Sequence, residues 1–174
     1  MKKGTLLLLF LCCLCSITFA QKNKDFILTL HKDTIFGKIK FVPESTHITF
    51  THKRKRIHFH PKTLDAFGIL SKNGTYRFYK SITSAQGVAM FVEVIDQGPV
   101  KLYKYRKRDE IAKSNFIREF YFIGRNDEKL VTMTPDSYER TMKVLVKDHP
   151  KLLNKMDKVS YQEVPQIIAS YNQL

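Results

Sequence analysis

Alternation of apolar and polar residues between Phe26 and Met133 confines this chain to a β-rich body. Successive side chains of a strand point to opposite faces, so a period of two marks segments with one buried face. Ile35, Gly37, Ile39 and Phe41 fall on one side of such a segment, with Lys38 and Lys40 on the other. Ile48 and Phe50 repeat the pattern against Thr49 and Thr51, and Ile57 and Phe59 repeat it again. Phe26, Leu28 and Leu30 alternate ahead of a turn at His31-Lys32-Asp33, and Pro43-Glu44-Ser45 breaks the next run. Gly37 predicts a bulge or bend at which a side chain would crowd the neighbouring strand.

Turn chemistry divides the rest of the β region into hairpins. Asn73-Gly74 tolerates positive φ and joins Ala66–Leu70 to Thr75–Ile82. Asp96-Gln97-Gly98-Pro99 and Arg125-Asn126-Asp127-Glu128 join two further pairs. Between those pairs the charged stretch from Arg106 to Asn115 reads as an exposed loop. Several strands are apolar on both faces, Phe120 and Phe122 against Tyr121 and Ile123 among them, which calls for a layer over the sheet. That layer is the C-terminal forty residues, where the period becomes helical. Tyr138, Met142 and Leu145 share a face, with Asp136 or Thr134 as N-cap and His149-Pro150 as the stop. Leu152, Leu153 and Met156 predict a second short helix, and Val164, Ile167, Ile168 and Tyr171 a third. Ser160 and Glu163 have capping-box spacing, and Pro165 suits a first helical turn. The expected fold is α+β. A mostly antiparallel sheet, or a small SH3-like barrel over residues 26–70 with hairpins over 75–134, is covered by two or three helices within 135–174.

Residues 1–20 have the three parts of an export signal: Lys2 and Lys3, an apolar run from Thr5 to Phe19, and small residues at Thr18 and Ala20. The run is too short to span a bilayer, and cleavage would leave a chain starting at Gln21. None of Cys12, Cys13 and Cys15 has the small preceding residue of a lipid-acceptor cysteine, and the sequence has no other cysteine. The mature chain thus has no disulfide and no thiolate for zinc or catalysis. Its core must hold it together alone. The net charge of the whole sequence is +14, and +12 remains beyond residue 20, since that segment carries two lysines and no acid. Outside the cytoplasm nucleic acid is not the expected partner of so basic a chain. Anionic lipid, lipopolysaccharide, glycan or an acidic envelope protein takes its place.

The signal ending in Ala20-Gln21 is one of several matching features. The others are Asp33-Thr34-Ile35-Phe36-Gly37-Lys38-Ile39, the strand pair leading to Phe67-Gly68-Ile69, the strand Val100-Lys101-Leu102-Tyr103 after a Gly turn, and the segment Ile167 to Asn172. On these residues the chain resembles small exported proteins of unknown function from Gram-negative bacteria of the Bacteroidota type. The resemblance implies export to the periplasm, the outer membrane or beyond the cell, and a β-then-α order. It carries no activity and no catalytic residue.

His58 and His60 lie two apart on a predicted strand, so both point to one face, with His47 and His52 on the strand before. Two histidines and a third ligand would make a zinc site. Four adjacent cations, Lys53 to Arg56, and a lack of acids between Glu44 and Asp65 oppose a dication there. The ordinary alternative is a solvent-facing strand edge that gains charge in acid. Glu93 with Asp96 and Asp109 with Glu110 are unremarkable acid pairs, and no nucleophile, zincin or phosphate-loop motif occurs. Asn73-Gly74-Thr75 matches a glycosylation sequon but reads better as a turn. Two basic segments stand out: Lys53, Arg54, Lys55 and Arg56, and Arg106, Lys107 and Arg108 beside Tyr103 and Tyr105. Tyrosine beside lysine and arginine suits an anionic, partly apolar surface, whereas lysines also protect a strand edge. The expectation is a non-enzymatic envelope module, without cofactor, that binds an anionic surface or acidic partner through these seven residues. A structural subunit of an envelope assembly, and a small hydrolase or metal enzyme centred on His58 and His60, are the alternatives.

Overall fold

The computed structural model describes residues 24–108, 116–125 and 129–174. The proposed signal, its cysteines, Asp109-Glu110 and most of the turn after Arg125 lie outside these residues. The strands are β1 (Asp25–Leu28), β2 (Thr34–Lys40), β3 (Ile48–His52), β4 (Lys55–Phe59), β5 (Ala66–Leu70), β6 (Tyr76–Thr83), β7 (Ala89–Gln97), β8 (Val100–Arg108), β9 (Ile117–Arg125) and β10 (Val131–Met133). They form one antiparallel sheet in the order β10-β9-β8-β7-β6-β5-β1-β2-β3-β4. Every neighbour is joined by a hairpin or short loop except β1 and β5, which meet only after residues 60–65 carry the chain back. That return segment contains a turn of 3-10 helix (Pro61–Thr63), closed by His60 and Thr63 bonding each other's backbone.

The expected SH3-like barrel does not form. The sheet stays open, with β4 and β10 as its two edges. The first half curls instead. Ile27, Ile39, Ile48, Phe50, Leu64, Phe67, Tyr79 and Phe91 are buried in its hollow. Phe41 seals this core by standing edge-on to Phe67, Tyr79 and Phe91, at 5.0, 5.0 and 6.0 Å between ring centroids. Leu64, on the return segment, is fully buried here, and Ser81 donates to its carbonyl at 2.5 Å. Burial of each such side chain contributes about 1.5–3 kcal/mol.

Alternation on β1 runs opposite to the expected sense. Ile27 points into the core, while Phe26 and Leu28 take the other face and Leu30 lies beyond the strand, exposed. Gly37 behaves as predicted in one respect. A β-carbon there would lie 2.5 Å from the Phe50 ring and 2.6 Å from the Thr51 carbonyl oxygen. The register irregularity falls elsewhere, between Val94 and Asp96 on β7.

Helices α1 (Tyr138–Leu145), α2 (Pro150–Leu153) and α3 (Val164–Asn172) cover one face of the second half of the sheet. Met142, Val146, Leu152, Met156, Val164, Ile168 and Tyr171 pack on Val100, Leu102, Tyr121, Ile123 and Met133. The N-cap of α1 is Ser137 and not Asp136 or Thr134; its hydroxyl bonds no helix amide and accepts instead from the Thr134 amide at 3.0 Å. His149-Pro150 does not stop α1, which ends at Leu145; Pro150 opens α2, where a missing amide proton costs nothing. Ser160 and Glu163 form the expected capping box around a 3-10 turn that leads into α3. Asn172 at the end of α3 clamps the β7–β8 hairpin. Its Oδ1 accepts from the Val100 amide at 2.9 Å, and its Nδ2 donates to Asp96 at 2.6 Å and to the Val100 carbonyl at 2.8 Å. The opposite face of β7–β9 buries Val92, Tyr103 and Phe122 in a separate cluster.

Candidate functional site

The hairpin between β3 and β4 turns at Lys53 and Arg54, whose φ angles of 47° and 67° are left-handed. Both side chains are exposed. Lys55 and Arg56 belong to β4, the edge strand, and are exposed too. Cross-strand register then assembles what the sequence scatters. Lys38, Thr51 and Arg56 form one row across β2, β3 and β4, and Lys40, Thr49 and His58 form the next. These side chains lie on the face opposite the buried Ile39, Ile48 and Phe50. None of the residues in these rows is acidic. Among the described residues, Lys38, Lys40, Lys53, Arg54 and Arg56 have no ion-pair partner.

The same face continues as an aromatic cluster. Phe36 precedes Lys38 by two residues on β2, about 7 Å along the strand. Phe26 pairs with Phe36 on one side and with Gly68 on the other, and Gly68 pairs with Phe78. A β-carbon on Gly68 would sit 2.4 Å from the Phe26 ring, so the glycine makes the bed in which that ring lies. Phe26 touches Phe36, Tyr76 and Phe78 at 6.1, 5.6 and 6.1 Å between centroids. Phe78 remains 49% exposed, and among the described residues no α-helix packs on this half of the sheet. Lys38 and Lys40 were legible as the polar side of β2, but only the register shows that they extend the basic hairpin and border the rings.

The second basic segment is arranged differently. Arg106, Lys107 and Arg108 are the end of β8 and not a loop, because they continue the strand's pairing with Glu119, Arg118 and Ile117. Arg106 is engaged by Glu119 at 2.7 Å. Lys107 and Arg108 are exposed. Six strand-to-strand steps separate β3 from β8. At about 20–25° per step the accumulated twist is on the order of 120–150°. The two basic segments therefore do not share one flat face.

His58 and His60 do not converge. His58 lies on β4 with its Nδ1 3.2 Å from Thr49 Oγ1 and its ring 5.9 Å from that of His47. His60 has left the strand, and its Nδ1 accepts from the Lys62 amide at 3.2 Å. His52 Nδ1 lies 2.8 Å from the Phe36 carbonyl oxygen, as a donor would. Among the described residues no cluster of three His, Asp or Glu side chains is placed to hold a metal ion. The acids are likewise committed. Glu93 faces Lys104 at 3.7 Å, and Asp96 accepts from the Gly98 amide and from Asn172. Burial, and secondarily Glu93, raises the Tyr79 hydroxyl above the usual phenol range, so it stays protonated. Asn73 bonds the Thr75 amide at 3.2 Å and hydroxyl at 2.7 Å, which makes the sequon-like triplet a turn. No helix among the described residues is long and apolar enough to cross a membrane. Compared with protein-family models, with curated proteins and with solved structures, the chain matches none.

Proposed function

We propose that this protein is an exported, non-enzymatic module that docks on an anionic surface of the cell envelope through the outer face of β6-β5-β1-β2-β3-β4. The carrying observation is the continuity of the Phe26, Phe36, Tyr76 and Phe78 cluster with rows of cations that have no ion-pair partner among the described residues. A tyrosine such as Tyr76 favours the level of lipid headgroups, where its ring is apolar and its hydroxyl wet, and the phenylalanines beside it add apolar surface. Each lysine or arginine close to an anionic leaflet adds about 1 kcal/mol. Lys38, Lys40, Lys53, Arg54 and Arg56 together offer up to about 5 kcal/mol at low salt if all engage. Edge protection accounts for Lys55 and Arg56 on β4. It does not account for Lys38 and Lys40, because β2 is paired on both sides. The surplus positive charge on an interior strand favours the surface-binding reading over an inert edge. It also favours it over assembly through the β4 edge, which such charge would repel in a second copy.

Co-sedimentation with vesicles containing anionic phospholipid, across a salt series, tests this. Wild type should bind at low salt and release as the Debye length falls to about 8 Å near physiological strength. The triple variant K38S/K40S/R56S should lose most of the binding, and Phe78→Ser should weaken what salt leaves. Both alter exposed side chains, so circular dichroism should be unchanged. Equal binding by the triple variant, or none by wild type at low salt, would refute the proposal.

A further inference from the structure

The opposite edge of the sheet carries a second, separate feature. Between β10 and α1 lies a groove of about 430 Å³, within the size range of small-molecule sites. Its apolar wall is made by Val131, Val144 and Leu145. Val131 and Val144, which both line it, are 54% and 64% exposed, so together they leave apolar surface in the groove uncovered. Lys129, Arg140 and Lys147 line the same groove. None of the three has an ion-pair partner among the described residues. Arg125 also lines it, but its guanidinium is spent on the Leu145 carbonyl at 2.8 Å, on Asp148 at 2.7 Å and on the Tyr171 hydroxyl. That brace ties the end of α1 to β9 beside the groove.

We infer that this groove binds a single-chain anionic amphiphile, with the acyl chain against Val131, Val144 and Leu145 and the carboxylate or phosphate head among Lys129, Arg140 and Lys147. Charge complementarity selects the head. Among the described residues the lining offers three unpaired cations and no acid. The apolar wall selects a tail, since a small inorganic anion would leave the valines wet. A peptide strand added to β10 is the competing occupant, and two observations disfavour it. β10 has only three residues, and the Tyr161 hydroxyl already donates to the Met133 carbonyl at 2.9 Å. The strand edge is thus both short and partly used, whereas strand addition depends on a run of free backbone groups.

The test uses three probes on the purified protein: dodecanoate below its micellar concentration, dodecyltrimethylammonium with the same tail and opposite head, and acetate. Backbone-amide NMR shifts locate binding, and calorimetry measures it. Dodecanoate should bind and shift Val131, Val144 and Lys147, while acetate should not bind. The cationic probe should bind about tenfold more weakly, as should dodecanoate to K129Q/R140Q/K147Q, a difference of about 1.4 kcal/mol. Val144→Glu should abolish binding while leaving the fold intact, since that side chain is mostly solvent-exposed. The inference falls if dodecanoate does not bind, if both twelve-carbon probes bind equally, or if V144E retains full affinity. Shifts confined to Phe26, Phe36 and Phe78 would also overturn it. That outcome would assign the amphiphile to the face proposed for surface docking and leave that proposal standing.

Discussion

Replacing Asn172 by aspartate swaps one amide nitrogen for an oxygen and changes almost no volume. In the folded protein that nitrogen donates to the Asp96 carboxylate at 2.6 Å and to the Val100 carbonyl at 2.8 Å. After N172D, one new oxygen faces two acceptor oxygens. One neutral hydrogen bond is lost at about 1 kcal/mol and one to a charged group at about 1.5–3 kcal/mol. Repulsion between the two carboxylates adds to this, and the total at pH 7 is about 3–5 kcal/mol. The penalty has a defined pH dependence. Contact with Asp96 raises the folded-state pKa of the introduced carboxyl above its unfolded value. The destabilisation is therefore complete above that raised value. It shrinks as the pH drops below about 4, where the repulsion is gone and the protonated group can donate one of the two bonds back. Urea unfolding followed by far-ultraviolet circular dichroism reads the effect. The midpoint should fall by about 1–3 M at pH 7 and return toward wild type near pH 4. An unchanged midpoint at pH 7, or a gap equally wide in acid, would show that the end of α3 does not clamp the β7–β8 hairpin.

Gly37→Ala should destabilise the protein by about 1–3 kcal/mol, because the new methyl must displace the buried Phe50 ring and a backbone carbonyl together; a denaturation midpoint equal to wild type would count against this packing. Asp148 is held below the usual carboxylate range by its bonds to Arg125 first and to Tyr171 next. Its stabilising contribution is present above the ordinary carboxylate pKa and is lost as the pH falls through the lowered one, so Asp148→Asn should flatten the acid limb of a stability-against-pH curve; an unaltered limb would argue that the brace is not formed in solution. Thermal unfolding with and without EDTA should superimpose, since His58 and His60 do not share a site; a drop of several degrees reversed by zinc would restore the metal reading.

Features set by residues close in sequence are legible in the chain, and pairings between distant segments are not. The turn at Asn73-Gly74, the buried alternation of Ile48 and Phe50, and the capping box of Ser160 with Glu163 each depend on residues within a few positions of one another. Arg106, Lys107 and Arg108 have the composition of a solvated loop and yet extend β8. The hold of β9 on them, through Glu119 above all, is invisible without knowing which strand lies alongside. The core-facing side of β1 is hidden for a related reason. Phe26, Ile27 and Leu28 are all apolar, and the choice between faces is made by the neighbours, where Gly68 leaves room for Phe26 and the core takes Ile27. The cationic face follows the same logic, since Lys38, Arg56 and Lys40 meet only through a register set by their buried neighbours.

The position of β1 has a consequence for the order of assembly. Most of the ladder can zip up locally, hairpin by hairpin, within microseconds. Joining Phe26 to Gly68 instead closes a loop spanning the whole of β2, β3 and β4. Until it closes, the chain is two unconnected sheets, each with an open hydrogen-bonding edge. Leu64 and Pro61 sit buried in the segment that makes the closure, so truncating Leu64 to alanine should slow refolding in stopped-flow measurements more than it speeds unfolding; the reverse would place that step after the barrier. A chain threaded through a membrane from its N-terminus would pair β1 with β2 first and keep the other edge of β1 open to chaperones until about forty more residues had followed.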